Sequence, residues 1–185
     1  MQRAIFLDRD GTLNYDSKEY VKSVDEFKVF AETPAAIKKL TRAGYLIIII
    51  TNQSGISRNY FTEAELARMH SKLFKKVEAA GGRIDAIYYC PHHPDDNCDC
   101  RKPGIANIQK AVEKFDIDLS NSYFIGDSAK DIAAGNRAGC KTILVKTGVK
   151  DYSPDALEKW EPQPDFIFDN ILQAAQSITD EKQES

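Results

Sequence analysis

Short apolar runs alternate along this chain with segments whose apolar positions recur every three or four residues. The first kind of pattern predicts buried strands and the second predicts helices. Strands are expected over Ile5 to Leu7, Tyr45 to Ile50, Ile84 to Tyr89, Ser122 to Ile125, Thr142 to Val145 and, as an edge strand, Asp165 to Phe168. Between them, Thr33-Pro34 is a capping hydroxyl followed by Pro at a first helical position, with Ala36, Ile37 and Leu40 as the core stripe and Gly44 as the stop. Thr62-Glu63-Ala64-Glu65 is a capping box for a helix reaching about Ala80, whose stripe is Leu66, Met69, Leu73 and Val77. His70 lies on that helix and is expected at its surface or boundary. Further helices are expected from Ile105 to Phe115, from Ser128 to Gly139, from Ser153-Pro154 through Trp160, and from Ile171 to Ile178. Asn14 to Phe30 lacks clean periodicity and reads as a polar excursion with a short strand at Phe27 to Phe30. Strand–helix alternation throughout predicts an α/β fold: a Rossmann-like, mostly parallel sheet with helices on both faces. One domain over residues 1–178 is expected, with no large cap domain and a flexible tail at 179–185.

In such a sheet, ligands bind at the carboxyl ends of the strands. Three of the predicted strands end in polar clusters. The first delivers Asp8 and, one step into the loop, Asp10, with Gly11 releasing the chain. Two acids so close repel unless a cation or proton neutralises them, and oxygen-only ligands favour magnesium. An Asp-Gly turn is the ordinary alternative. The second strand runs into Thr51-Asn52-Gln53-Ser54-Gly55, whose hydroxyls and N–H groups suit phosphate oxygens, or simply a turn. The fourth ends in Gly126-Asp127-Ser128, with Asp131 a helical turn later. Asp127 is placed to reach the same cation as Asp8, and Asp131 to support it from behind. Asp16, Ser17, Lys18, Glu19 and Tyr20, shortly after Asp10, are candidates for a substrate rim.

Two of the three histidines and three of the four cysteines fall in one loop, Cys90-Pro-His92-His93 through Cys98-Asp-Cys100. Cys90, His92, Cys98 and Cys100 suit a tetrahedral zinc, and a closed shell of that kind is structural. Disulfides are the alternative, disfavoured by the tight Cys-x-Cys ring. Arg101 and Lys102 follow directly, a fork and a point charge suited to phosphate. Cys140 reads as a buried free thiol. A formal net charge of −3 gives no basic footprint for nucleic acid, and no apolar run is long enough for a membrane span or signal. A cytoplasmic monomer acting on a small phosphorylated metabolite, with no nucleic-acid or membrane partner, is the expectation.

Together these residues resemble the haloacid dehalogenase (HAD) superfamily. Asp8-x-Asp10-Gly11-Thr12 is similar to its first motif, Thr51 to its second, Lys102 to its third and Gly126-Asp127-x-x-x-Asp131 to its fourth. The Asp-x-Asp form resembles the phosphatase branch. Within it, the Cys-Pro-His-His-Pro and Cys-Asp-Cys-Arg-Lys-Pro segments resemble two bacterial families, the heptose-1,7-bisphosphate 7-phosphatases and the histidinol-phosphatase domains. Residues 6–14, 51–56, 88–94 and Thr147-Gly148 are closer to the first; the short His92 to Cys98 spacing is closer to the second.

The resemblance implies removal of the C7 phosphate of a heptose 1,7-bisphosphate, in nucleotide-activated heptose synthesis for lipopolysaccharide or surface glycans. It implies Asp8 as nucleophile, forming an aspartyl-phosphate, and Asp10 as acid and then base. Burial and its neighbouring carboxylate are expected to push the Asp10 pKa upward. Magnesium is implied at the Asp8 side chain, the Asp10 carbonyl and Asp127, with Thr51 and Lys102 on the phosphoryl oxygens and Asp131 supporting. Asn52, Gln53, Ser54, Arg101, Ser128 and the Asp16–Tyr20 rim are implied in recognising the rest of the substrate. Histidinol phosphate is the alternative substrate. A phosphotransferase or mutase is disfavoured by the lack of a cap insertion, and a non-catalytic binding module by the presence of every reacting group.

Overall fold

A computed structural model describes residues 1–180. Its frame is a six-stranded, all-parallel sheet in the order β3-β2-β1-β4-β5-β6. The strands are β1 (Ala4–Leu7), β2 (Leu46–Asn52), β3 (Ala86–Cys90), β4 (Tyr123–Gly126), β5 (Lys141–Val145) and β6 (Phe166–Phe168). The helices are α1 (Thr33–Arg42), α2 (Glu63–Ala79), α3 (Ala106–Phe115), α4 (Ala129–Ala138), α5 (Pro154–Leu157) and α6 (Ile171–Asp180). Strand order reverses between β1 and β4, the doubly wound arrangement whose crevice at the reversal takes ligands.

Successive side chains of the central strands go to opposite faces, and both faces are apolar. Ile5, Leu7, Ile47 and Ile49 pack with α1, α2 and α6; Ala4, Phe6, Ile48 and Ile50 pack with α3 and α4. That is why β1 and β2 read as unbroken apolar runs rather than as alternation. Each large apolar side chain so buried contributes about 1.5–3 kcal/mol against chain entropy. No helix among the described residues is long and apolar enough to cross a membrane.

The differences from expectation are local. β2 extends through Thr51 and Asn52, because their backbone pairs with Tyr89 and Cys90 of β3. Phe27 to Phe30 forms no strand; only a bridge between Asn14 and Val29 forms, while Phe27 and Phe30 plug into the core. Thr33 does not cap α1: it is buried inside the first turn and its hydroxyl donates to the Leu13 carbonyl at 2.8 Å. Thr62 does cap α2, accepting from the Glu65 N–H, but the Glu65 carboxylate turns to the Val24 N–H. α5 stops at Leu157, short of Trp160. Thr179 and Asp180, expected in the tail, continue α6; the rest of that expected tail, 181–185, lies outside the described residues.

Candidate active site

The carboxyl ends of β1 and β4 set Asp8 and Asp127 side by side at the crevice, and the first turn of α4 adds Asp131. One carboxylate oxygen from each of the three lies within 4.8 Å of the others. Gly126 makes the approach feasible, since a side chain there would overlap the Asp131 side chain. Asp131 accepts from the Ser128 N–H at 3.0 Å and from its hydroxyl at 2.6 Å. Lys102, buried, bridges the cluster, with Nζ 2.7 Å from Asp8 and 2.6 Å from Asp131.

Lys102 alone does not balance the three acids, of which Asp127 and Asp131 are buried. Burial, then Asp131, raises the Asp8 pKa to about 7 against the opposing pull of Lys102. Burial, then Asp131 and Asp8, raises Asp127 to about 8. For Lys102, burial alone favours the neutral amine, but Asp131 and Asp8 outweigh it and raise its pKa. A hard oxygen-only cluster with surplus negative charge fits magnesium. The Asp10 side chain is not part of this cluster; it is turned to Arg9, Asn14 and Gln53.

Asp10 itself departs from expectation. Burial does favour its neutral form, but the Arg9 charge and hydrogen bonds from Arg9, Asn14 and Gln53 outweigh burial and lower its pKa. Arg9 Nη2 lies 2.8 Å from both Asp10 oxygens, and the Asn14 and Gln53 amides each donate at 2.8 Å. A fork of donors stabilises the ionised carboxylate more than its neighbouring acid destabilises it.

A cavity of about 770 Å³ opens over these groups. Thr51, Asn52, Gln53, Arg101, Lys102 and Ser128 line it, with Asp16, Ser17, Lys18 and Tyr20 of the expected rim. Glu19 and Ser54 do not: Glu19 is exposed on the turn, and the buried Ser54 hydroxyl faces that of Tyr20 at 3.4 Å. Asn52 is turned to the backbone of Lys102, donating to its carbonyl and accepting from its N–H. Gln53 spans Asp10 and the Thr51 hydroxyl. Both side chains hold other site residues in place rather than reaching outward.

Cys90, His92, Cys98 and Cys100 come together as expected. Their ligand atoms all lie within 4.8 Å, with Cys90–Cys98 sulfurs at 3.4 Å and His92 Nδ1 to Cys100 Sγ at 3.3 Å. All four cysteines are free thiols, and the spacing suits the edges of a tetrahedron about a zinc with Zn–S near ~2.3 Å. His93 stays outside and caps the short turn Pro94–Asp96. Cys140 is buried alone, its thiol pushed up to about 12 by burial.

Several residues at the site were not among those expected to take part in it. Arg9 is 1% exposed beneath Asp10, and His70, 7% exposed, lies 3.2 Å from Arg9 Nη1. Helical spacing from Leu66 already put His70 on the inward face, a signal outweighed by its polarity. The segment after β5 folds back over the site. The Thr147 hydroxyl donates to the Gly11 carbonyl at 2.6 Å, and that of Tyr152 to the Asp127 carbonyl at 2.9 Å. Lys150 Nζ stands 3.5 Å from Asp16 and 3.9 Å from Asp127. Trp160 closes the far wall. Nothing in local pattern announces a contact made so far along the chain.

A HAD-hydrolase-like family model matches residues 99–174. Over 174 residues the chain is 40% identical to D-glycero-beta-D-manno-heptose-1,7-bisphosphate 7-phosphatase of Pseudomonas aeruginosa, covering 94% of this chain and 96% of that one. The enzyme of the same name from Neisseria meningitidis is 40% identical over 179 residues, covering 97% and 96%. Among solved structures, D,D-heptose 1,7-bisphosphate phosphatase from B. bronchiseptica, complexed with magnesium and phosphate, superposes with a TM-score of 0.88 at 35% identity, covering both chains fully. The Burkholderia thailandensis enzyme gives 0.70 at 30% identity, covering 95% of this chain and 97% of that one. The chain therefore belongs to the D-glycero-beta-D-manno-heptose-1,7-bisphosphate 7-phosphatase family of HAD-like phosphatases.

Proposed function

We propose that this protein hydrolyses the C7 phosphate of D-glycero-beta-D-manno-heptose 1,7-bisphosphate through an aspartyl-phosphate on Asp8. The observation that carries the reading is the buried cluster of Asp8, Asp127, Asp131 and Lys102 at the crevice, in a chain 40% identical to enzymes of that name. Asp8 attacks phosphorus while the bond to the sugar oxygen breaks, and Asp10 gives that oxygen a proton. Water then attacks phosphorus as the bond from Asp8 to phosphorus breaks, Asp10 takes a proton from that water, and inorganic phosphate leaves with Asp8 free again. Lys102 and Thr51 hold equatorial oxygens as charge shifts onto them. Asp8, the Asp10 carbonyl and Asp127 would hold magnesium, whose charge would offset repulsion between nucleophile and phosphate. Asp131 keeps Lys102 pointed at the reacting group.

The second phosphate of such a substrate needs cations away from the reacting centre. Arg101, Lys18 and Lys130 line the same cavity and suit that task. The cysteine–histidine loop, holding zinc, fixes Arg101 and Lys102. A monomer and a cytoplasmic location go with this reading.

The test is phosphate release with magnesium, comparing both anomers of heptose 1,7-bisphosphate with histidinol phosphate. A preference for the beta anomer is expected, and Asp8→Asn is expected to abolish turnover while remaining folded. Preference for histidinol phosphate, or normal turnover by Asp8→Asn, overturns the reading.

A further inference from the structure

Arg9 sits between the two reacting acids in sequence and points the other way, into the protein. Burying a guanidinium is costly unless its donors are used. Here each edge has a partner. Nε and Nη2 face Asp10, Nη2 also reaches the Gln53 carbonyl oxygen at 3.3 Å, and Nη1 lies 3.2 Å from His70 Nε2. The Phe27 ring lies against the group, with the guanidinium carbon 5.2 Å from its centroid. His70, at the far end of the guanidinium from Asp10, has no part in the proposed phosphatase chemistry. Guanidinium has only donors, so His70 Nε2 accepts and the imidazole proton sits on Nδ1.

We infer that Arg9, anchored from behind by His70, is a positioning residue that fixes the direction of the Asp10 carboxylate toward the leaving oxygen. This rests on the proposed role of Asp10 as acid and base. A proton can pass only to an oxygen within hydrogen-bond reach of the carboxyl group, so its orientation decides whether the transfer occurs. With Arg9 on one side and the Asn14 and Gln53 amides on the other, the carboxylate has little freedom to turn. Release the far end of Arg9 from His70 and the fork can rotate, taking Asp10 with it. The only proton transferred in this step runs from Asp10 to the sugar oxygen as the phosphorus–oxygen bond breaks.

The experiment exploits leaving groups. A sugar alkoxide needs the proton, whereas p-nitrophenolate leaves without it. The parameter kcat/KM covers steps only up to departure of the leaving group, so it isolates this transfer from later hydrolysis of the aspartyl-phosphate. His70→Leu is expected to lose about tenfold or more in kcat/KM on heptose bisphosphate, a fraction of what a general acid supplies, and clearly less on p-nitrophenyl phosphate. His70→Gln, whose amide oxygen can accept from Arg9, is expected to recover most of the loss. Arg9→Lys, which keeps the charge without the fork, should show the same selective loss and serves if His70→Leu does not fold. Equal losses on both substrates, or no recovery in His70→Gln, overturn the inference. A wild-type protein inactive on every phosphate monoester would overturn the proposed function instead.

Discussion

Asp8 and Asp10 are separated by one residue yet sit in opposite electrostatic settings. Burial and Asp131 raise the Asp8 pKa, and its ionised form depends on cations supplied by Lys102 and the proposed magnesium. The Arg9 fork and two amides lower that of Asp10 despite burial. The difference suits their proposed roles only in part, since an acid held ionised must gain a proton before it can give one; the negative charge of an arriving phosphate raises its pKa in the direction needed. His70, behind Arg9, offers a second titration. Burial first, then the Arg9 charge, lower its pKa from 6.5 to about 3. The unfolded chain therefore takes up a proton on His70 below about pH 6.5, while the folded protein does not until about pH 3. Its contribution is flat above neutrality and grows less favourable as pH falls through that window. Denaturant unfolding of wild type and His70→Gln should show the wild type losing roughly 2 kcal/mol relative to the variant between pH 7 and pH 5. Parallel pH dependence would mean that His70 is protonated in the folded protein.

Two segments turn a generic sheet into this site, and both act on residues already placed by strands. The loop from Cys90 to Lys102 starts in β3, doubles back through its cysteines and ends clamped by Asn52 of β2. Lys102 thus inherits its position from the loop's closure. Cys98→Ser is expected to abolish retained zinc, lower the melting temperature and reduce kcat/KM about tenfold or more, as ligand loss does elsewhere. Cys140→Ser, away from the loop, should keep the metal; metal analysis of the two purified variants separates these outcomes. The second segment, Thr147 to Tyr152, closes over Gly11 and Asp127. Gly148 passes so near the Asp127 carboxylate that any side chain there would overlap it.

At the scale of the whole molecule, the reversal of strand order between β1 and β4 is what brings Asp8 and Asp127 together although they are far apart in the chain. Lys102 arrives from the loop after β3, and Asp131 from α4 directly behind Asp127, so the connections after three strands, β1, β3 and β4, meet at one crevice. Such a cluster is held against its own repulsion by the packed sheet. Binding of magnesium with phosphate should relieve that repulsion, and at a hundredfold excess over Kd it adds about 2.7 kcal/mol to stability. For a domain of this size that is a rise of roughly 5–10 °C in Tm, measurable by calorimetry with each ligand alone and both together. No shift with both present would argue against the cluster as their site.

The strands and helices, the placing of Asp8, Thr51 and Asp127 at the carboxyl ends of strands, and the grouping of Cys90, His92, Cys98 and Cys100 were legible in the amino-acid order alone. Those follow from local periodicity, capping chemistry and short spacing, which act over a few residues. The amino-acid order also marked Lys102 through its likeness to a known motif. Only the tertiary structure decided which way each side chain turns. Gln53 and Asn52 became props rather than contacts, Ser54 and Glu19 left the cavity, and Arg9 joined His70 behind Asp10 to reverse the expected direction of its pKa. The reason is that burial and charge balance depend on groups distant in the chain. Arg9 is flanked by two acids in the sequence, and only the packing of α2 against the loop shows that it faces inward, with Asp10 on one side and His70 on the other.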